Sequence, residues 1–124
     1  MLIYNIINKY YKSITFAVFI TVISLIQFKT SPGSGLFNIP YMDKIVHFIL
    51  YGILSFLLLR DSGSNLKSIT YIIIIFLCLS FGGIIELIQI SQPGRSGEFL
   101  DLLANVAGSI TAIPVFYLYN RIIR

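Results

Sequence analysis

The chain has 124 residues, of which 56% are hydrophobic and 11% charged, and its mean hydropathy is +0.87. Soluble domains carry about 25% charged residues, so this composition excludes a soluble fold and describes an integral membrane protein. The net charge of +4 is no sign of a nucleic-acid partner, because the Lys and Arg residues are spread over the ends of apolar runs, as membrane topology requires.

A helix needs about 20 mainly apolar residues to cross a hydrocarbon core of ~30 Å, and four such runs are present. The first, about Ile14 to Phe28, follows Lys9, Tyr10, Tyr11 and Lys12. No small-x-small cleavage site closes it, so it reads as a retained signal anchor. The second, about Ile45 to Leu59, is fenced by Asp43-Lys44 and Arg60-Asp61. The third, about Ile69 to Ile90, is interrupted late by Gly82, Gly83, Glu86 and Gln89. Its Cys78, the single cysteine, reads as a buried, inert thiol. The fourth, about Phe99 to Tyr119, ends in Tyr117, Tyr119, Arg121 and Arg124, an interfacial anchor of aromatic and basic residues.

The connections are Lys29 to Met42, with two Pro and two Gly, the short polar Asp61 to Ser68, and the tight turn Ser91 to Gly97. The expected architecture is an all-α membrane protein, a single domain over residues 1–124 folded as an antiparallel four-helix transmembrane bundle. Lys9, Lys12, Arg60, Lys67, Arg121 and Arg124 lie on one side of such a bundle, against Lys29, Lys44 and Arg95 on the other. Six basic residues against three predict that both termini are cytoplasmic.

With that orientation Asp43, Lys44, His47, Glu86, Gln89, Arg95, Asp101 and Asn105 gather at the extracytoplasmic ends of three helices. An Asp, Lys or Arg at a membrane-helix centre costs roughly 2.5–3.5 kcal/mol, and less toward the ends. Asp43 and His47 are spaced i, i+4 with Tyr51 one turn further, so the three share a stripe. Functionally that is a carboxylate orienting an imidazole for proton transfer or metal binding. The bland alternative makes Asp43 the helix N-cap and His47 a packed, hydrogen-bonded residue. Lys44 suits a lipid phosphate, reached by snorkelling.

Glu86 and Gln89 are spaced i, i+3, and a carboxylate at that depth must be protonated or paired, with Lys44, His47 and Arg95 as candidates. A general acid or base is one outcome and a structural ion pair the other. Arg95 offers a planar fork for phosphate or carboxylate, or a local surface pair with Glu98, whose own role is expected to end at the helix dipole. Asp101 and Asn105 are spaced i, i+4 at membrane depth. Ala104, Gly108 and Ala112 form a second stripe read as helix packing, as are Gly82 and Gly83.

The same residues carry a family resemblance. MDKIVHFILYGILSFLL, GGIIELIQ and PGRSGEFLDLLANVAGS resemble the signature blocks of the VanZ-like membrane protein family, from about Met42 to Ser109 with the first helix outside. All eight polar positions are present. The resemblance implies a bacterial cell-envelope protein of a family whose founding member is linked to resistance to the lipoglycopeptide teicoplanin, and it implies no reaction.

The expected function is therefore an outward-facing site in the bacterial plasma membrane that binds, and in one version processes, an anionic envelope lipid, lipid-linked precursor or lipoglycopeptide. Lys44 and Arg95 would hold its anionic group. His47, Glu86 and Asp43 would manage a proton as the catalytic set. Gln89, Asp101 and Asn105 would orient ligand or side chains. Two alternatives stand beside it: an accessory protein whose polar cluster fixes helix packing or docks a partner, and a small proton-coupled transporter acting as an oligomer. Whether a cofactor takes part, the sequence leaves unknown. With no metal-spaced His pair, no metal is expected, although three carboxylates and one His would favour a hard ion such as Mg²⁺ over zinc.

Overall fold

The computed structural model describes residues 1–26, 41–93 and 98–123, which form four α-helices: α1 (Leu2–Leu25), α2 (Met42–Ser62), α3 (Ser68–Ile90) and α4 (Phe99–Ile123). Each is long and apolar enough to cross a membrane. At about 1.5 Å per residue their 21 to 25 residues give roughly 32–38 Å, which exceeds the hydrocarbon thickness and leaves both ends in the interfaces.

The expected apolar runs lie inside these helices with one difference at each end of the first. Helix α1 starts at Leu2 because its N-terminal stretch holds no Pro or Gly to stop propagation, and only Tyr10 departs from helical geometry (φ −105°, ψ 17°). It ends at Leu25, where Ile26 turns to extended backbone, and the expected end at Phe28 lies outside the described residues. Helix α2 is entered through Tyr41 in the left-handed region, so Asp43 sits in the first turn and is not the N-cap. It is left through Gly63 at φ +122°, a conformation that a side chain would strain.

Neighbours in sequence run antiparallel. Tyr10 and Ser13 near the start of α1 meet Ser62 and Asp61 at the end of α2. The end of α3 returns to the end of α1, where Gln89 meets Ser24. Helices α2 and α4 run parallel and pack most closely, with Ser55 Oγ donating to the Ser109 carbonyl at 3.0 Å. A Cβ added to Gly108 would lie 2.1 Å from the Phe48 carbonyl oxygen, and one on Gly52 3.3 Å from that of Gly108. Lipid tails are as apolar as leucine, so small residues and interhelical hydrogen bonds supply what hydrophobicity cannot. Gly108 and Ala112 of the expected small-residue stripe are buried, while a Cβ built on Gly83 would meet no atom within 4 Å, so no close helix contact needs a glycine there.

The buried apolar cluster joins Ile20, Tyr51, Leu54, Leu59, Ile74, Cys78, Ala112 and Phe116 from all four helices. Large side chains such as Ile72, Phe76 and Leu87 point outward, as lipid contact demands. Asp61, expected in a connection, belongs to α2. Its Oδ2 accepts from Ser13 Oγ at 2.7 Å and from the Ser13 backbone N–H at 3.3 Å, which fastens α1 to α2.

Candidate functional site

The starts of α2 and α4 and the ends of α1 and α3 share one end of the bundle, and the polar residues converge there. His47, one turn into α2, is the hub. Its Nδ1 lies 2.9 Å from Asn105 Oδ1 on α4. With the amide oxygen accepting, Nδ1 donates, and Nε2 is the end of the ring that Asn105 does not hold. Nε2 faces Asp101 Oδ2 of α4 at 3.8 Å and Glu86 Oε1 of α3 at 4.0 Å. The ring lies parallel to that of Tyr51, with centroids 6.4 Å apart. His47 is therefore aimed by Asn105 and not by Asp43, the partner its helical spacing suggested.

Glu86 is 8% exposed, and neither of its carboxylate oxygens has a hydrogen-bond partner among the described residues beyond a weak approach from the Glu98 backbone. Helix α3 admits it because Gly82 lies one turn below: a Cβ there would meet Asn105 Nδ2 at 2.6 Å and the Tyr51 ring at 3.2 Å. Glycine thus lets Asn105 and Tyr51 fit beneath the cluster. Glu86 also forms part of the wall of a groove of about 310 Å³ between α3 and α4, otherwise lined by Gly83, Leu87, Ile90, Glu98, Phe99 and Leu102. Leu87, Ile90 and Phe99 are among the outward-facing side chains, so the groove runs from the membrane-facing surface to Glu86.

Lys44 is ringed by carboxylates. Its Nζ lies 2.5 Å from Asp43 Oδ2 and 3.1 Å from Asp101 Oδ1, and it also donates to Glu98 Oε2. Glu98, immediately before α4, does more than complement the helix dipole. The signal that would have found this pair is the parallel register of α2 and α4, which no local spacing reveals. Asp101 bridges the two groups, one oxygen toward Lys44 and the other toward His47.

The remaining candidates separate. Gln89 is buried, and its Nε2 donates to the Ser24 carbonyl at 2.8 Å, so it ties α3 to α1. Asn105, 1% exposed, supports the ring from below. Arg95 lies outside the described residues. Sequence reasoning missed Ser55 and Ser109, which extend the polar column inward: Ser109 Oγ donates to the Asn105 carbonyl and Ser55 Oγ to the Ser109 carbonyl. Their signal was present as i, i+4 continuations of the Asp101-Asn105 and His47-Tyr51 stripes.

A family model described as VanZ/LLP1 matches residues 1–120. The chain belongs to the VanZ/LLP1 family. The match takes in α1, which the resemblance of the three signature blocks left outside, in keeping with the bonds from Ser13 and Ser24 that make α1 part of the bundle. Neither the curated proteins nor the solved structures gave a match. Chemically, the VanZ/LLP1 cluster offers a ring nitrogen with a lone pair or a proton, one carboxylate without hydrogen bonds and one shared with an ammonium. Such a set can exchange a proton, accept from a donor group or hold a cation.

Proposed function

We propose that this chain captures the polar head of an envelope amphiphile (a lipid, lipid-linked precursor or lipoglycopeptide) at the extracytoplasmic face of the bacterial plasma membrane. One observation carries the reading: Glu86 belongs both to the His47–Asp101 cluster and to the groove between α3 and α4. An amphiphile arriving sideways through the bilayer can lay its chain along Leu87, Ile90 and Phe99 and bring its head to Glu86. The outward orientation rests on the six-to-three distribution of basic residues.

The anionic character expected of the ligand has less support than its amphiphilic character. Lys44 is already paired with three carboxylates, so a phosphate would have to displace them. The groups left to a ligand are acceptors, which favours hydroxyl, amide or ammonium donors on the head, or a cation between the carboxylates and an anion. His47 and Glu86 are the pair best placed to move a proton to or from the bound head. The accessory reading also has a specific observation in its favour, because Gln89 and Asn105 serve helix contacts.

Native mass spectrometry of the full chain extracted from bacterial membranes separates the two. Under the headgroup reading a defined envelope lipid co-purifies with the wild type. It is lost from Glu86→Gln, which keeps the melting temperature because the amide preserves shape. Equal lipid retention in both proteins, or a Glu86→Gln chain that no longer folds, overturns the headgroup reading and leaves the cluster a packing device.

A further inference from the structure

The geometry points to a Zn²⁺ site formed by His47 Nε2, Glu86 and Asp101 Oδ2, one ligand from each of α2, α3 and α4. These ligand atoms all lie within 4.8 Å of one another. Acidic clusters are common without an ion, so the case rests on what surrounds this one.

The first support is the ring. Asn105 holds the ring at Nδ1 and leaves Nε2 facing two carboxylate oxygens at 3.8 and 4.0 Å. Those distances are too long for hydrogen bonds and leave room for an ion between the three ligand atoms. A histidine that binds a metal through one nitrogen ordinarily gives the other N–H to a carbonyl or carboxylate, and Asn105 occupies that supporting place. Lys44 does the same for Asp101, holding Oδ1 while Oδ2 faces the ring.

The second support is Glu86. It is more than nine-tenths buried and aimed at the ring, and beyond the approach from the Glu98 backbone its oxygens have no hydrogen-bond partner among the described residues. A buried carboxylate in that condition is costly unless it neutralises or finds a cation. The local balance does not supply one: Asp43, Glu98 and Asp101 share the single ammonium of Lys44, and Glu86 has no Lys or Arg within ion-pair distance among the described residues. A divalent ion would offset most of that excess.

The donor set bears on which metal fits. Because Asp43 pairs with Lys44, away from the ring, the set is one imidazole and two carboxylates, and this shifts the preference from a hard ion such as Mg²⁺ to a first-row ion such as Zn²⁺. Tetrahedral Zn²⁺ with bonds near 2.0–2.1 Å sets ligand–ligand edges of about 3.4 Å, so closure asks the shorter edges to contract by about half an ångström. Three protein ligands leave a fourth position for water or for an oxygen of a bound head group. Such an ion would also let an acidic site accept a phosphate. The inference goes beyond the headgroup reading and does not depend on it.

The test uses the full chain in detergent, stripped with a chelator and titrated with Zn²⁺ alone against a chromophoric competitor. One Zn²⁺ per chain is expected, with no lipid added. His47→Gln, Glu86→Gln and Asp101→Asn should each weaken binding by more than the ~10–100-fold typical of losing a supporting partner. Cys78→Ala should leave it unchanged. Co²⁺ in place of Zn²⁺ should give visible ligand-field bands without a sulfur charge-transfer band. Helical content by circular dichroism shows which variants are folded, and any one folded variant of the three decides the matter. A wild type that takes up no Zn²⁺, a folded variant with undiminished affinity, or a Co²⁺ spectrum that changes in Cys78→Ala overturns the site. Lipid retention without zinc uptake removes this inference alone, and zinc uptake without lipid removes only the headgroup reading.

Discussion

Asn105 Oδ1 accepts a hydrogen bond from His47 Nδ1 at 2.9 Å, across the closest helix pair in the bundle and 58 residues apart in sequence. That bond holds the ring of the chain's single histidine at Nδ1 and leaves its Nε2 facing Glu86 and Asp101. It makes Asn105 the residue that positions the ring across the parallel α2–α4 contact.

Replacing Asn105 separates orientation from packing. Interhelical hydrogen bonds in membrane bundles are worth about 0.6 kcal/mol on average and about 1.7 at most. Asn105→Ala should therefore lower stability by about 0.5–2 kcal/mol, read as a modest drop in melting temperature in detergent. It should also release the ring, so that the proton-coupled NMR signals of His47 show both tautomers. A single unchanged tautomer in Asn105→Ala would mean that something else aims the ring.

The glycines of α4 and α3 make a contrasting pair. A Cβ on Gly108 would stand 2.1 Å from the Phe48 carbonyl oxygen, whereas one on Gly83 meets nothing within 4 Å. Gly108→Ala must push α2 from α4, and overpacking of this kind costs about 1–3 kcal/mol. Gly83→Ala should be neutral or stabilising by up to about 1 kcal/mol, through helix propensity alone. Thermal melts of the two variants in one detergent check this, and equal effects would contradict the close α2–α4 crossing.

The six-to-three distribution of basic residues predicts the topology. In a Cys78→Ala background, a cysteine introduced at Ser34 or Ser96 should react with a membrane-impermeant maleimide on intact cells, and one at Ser64 only after lysis. Labelling at Ser64 alone would invert the bundle and put the polar end in the cytoplasm.

The sequence by itself determined the four crossings, their order and the end at which the polar residues collect. Those properties are local: a run of about 20 apolar residues is forced into a helix by the absence of water for its backbone, and its charged flanks are held at the interface. The signature blocks around His47, Glu86 and Asp101 were legible in the same way, as spacings along single helices.

Only the tertiary structure decided which polar residue meets which. Asp43 shares a stripe with His47, yet Lys44 takes it, because the parallel register of α2 and α4 brings Glu98 and Asp101 to the same ammonium. Gln89, expected at the site, donates to the Ser24 carbonyl, and Asp61, expected in a connection, lies at the end of α2 and holds Ser13. Hydropathy says how deep a residue lies but not how its helix is rotated. That rotation is set by contacts such as Gly108 against Phe48 and Gly82 beneath Asn105, between segments far apart in the chain.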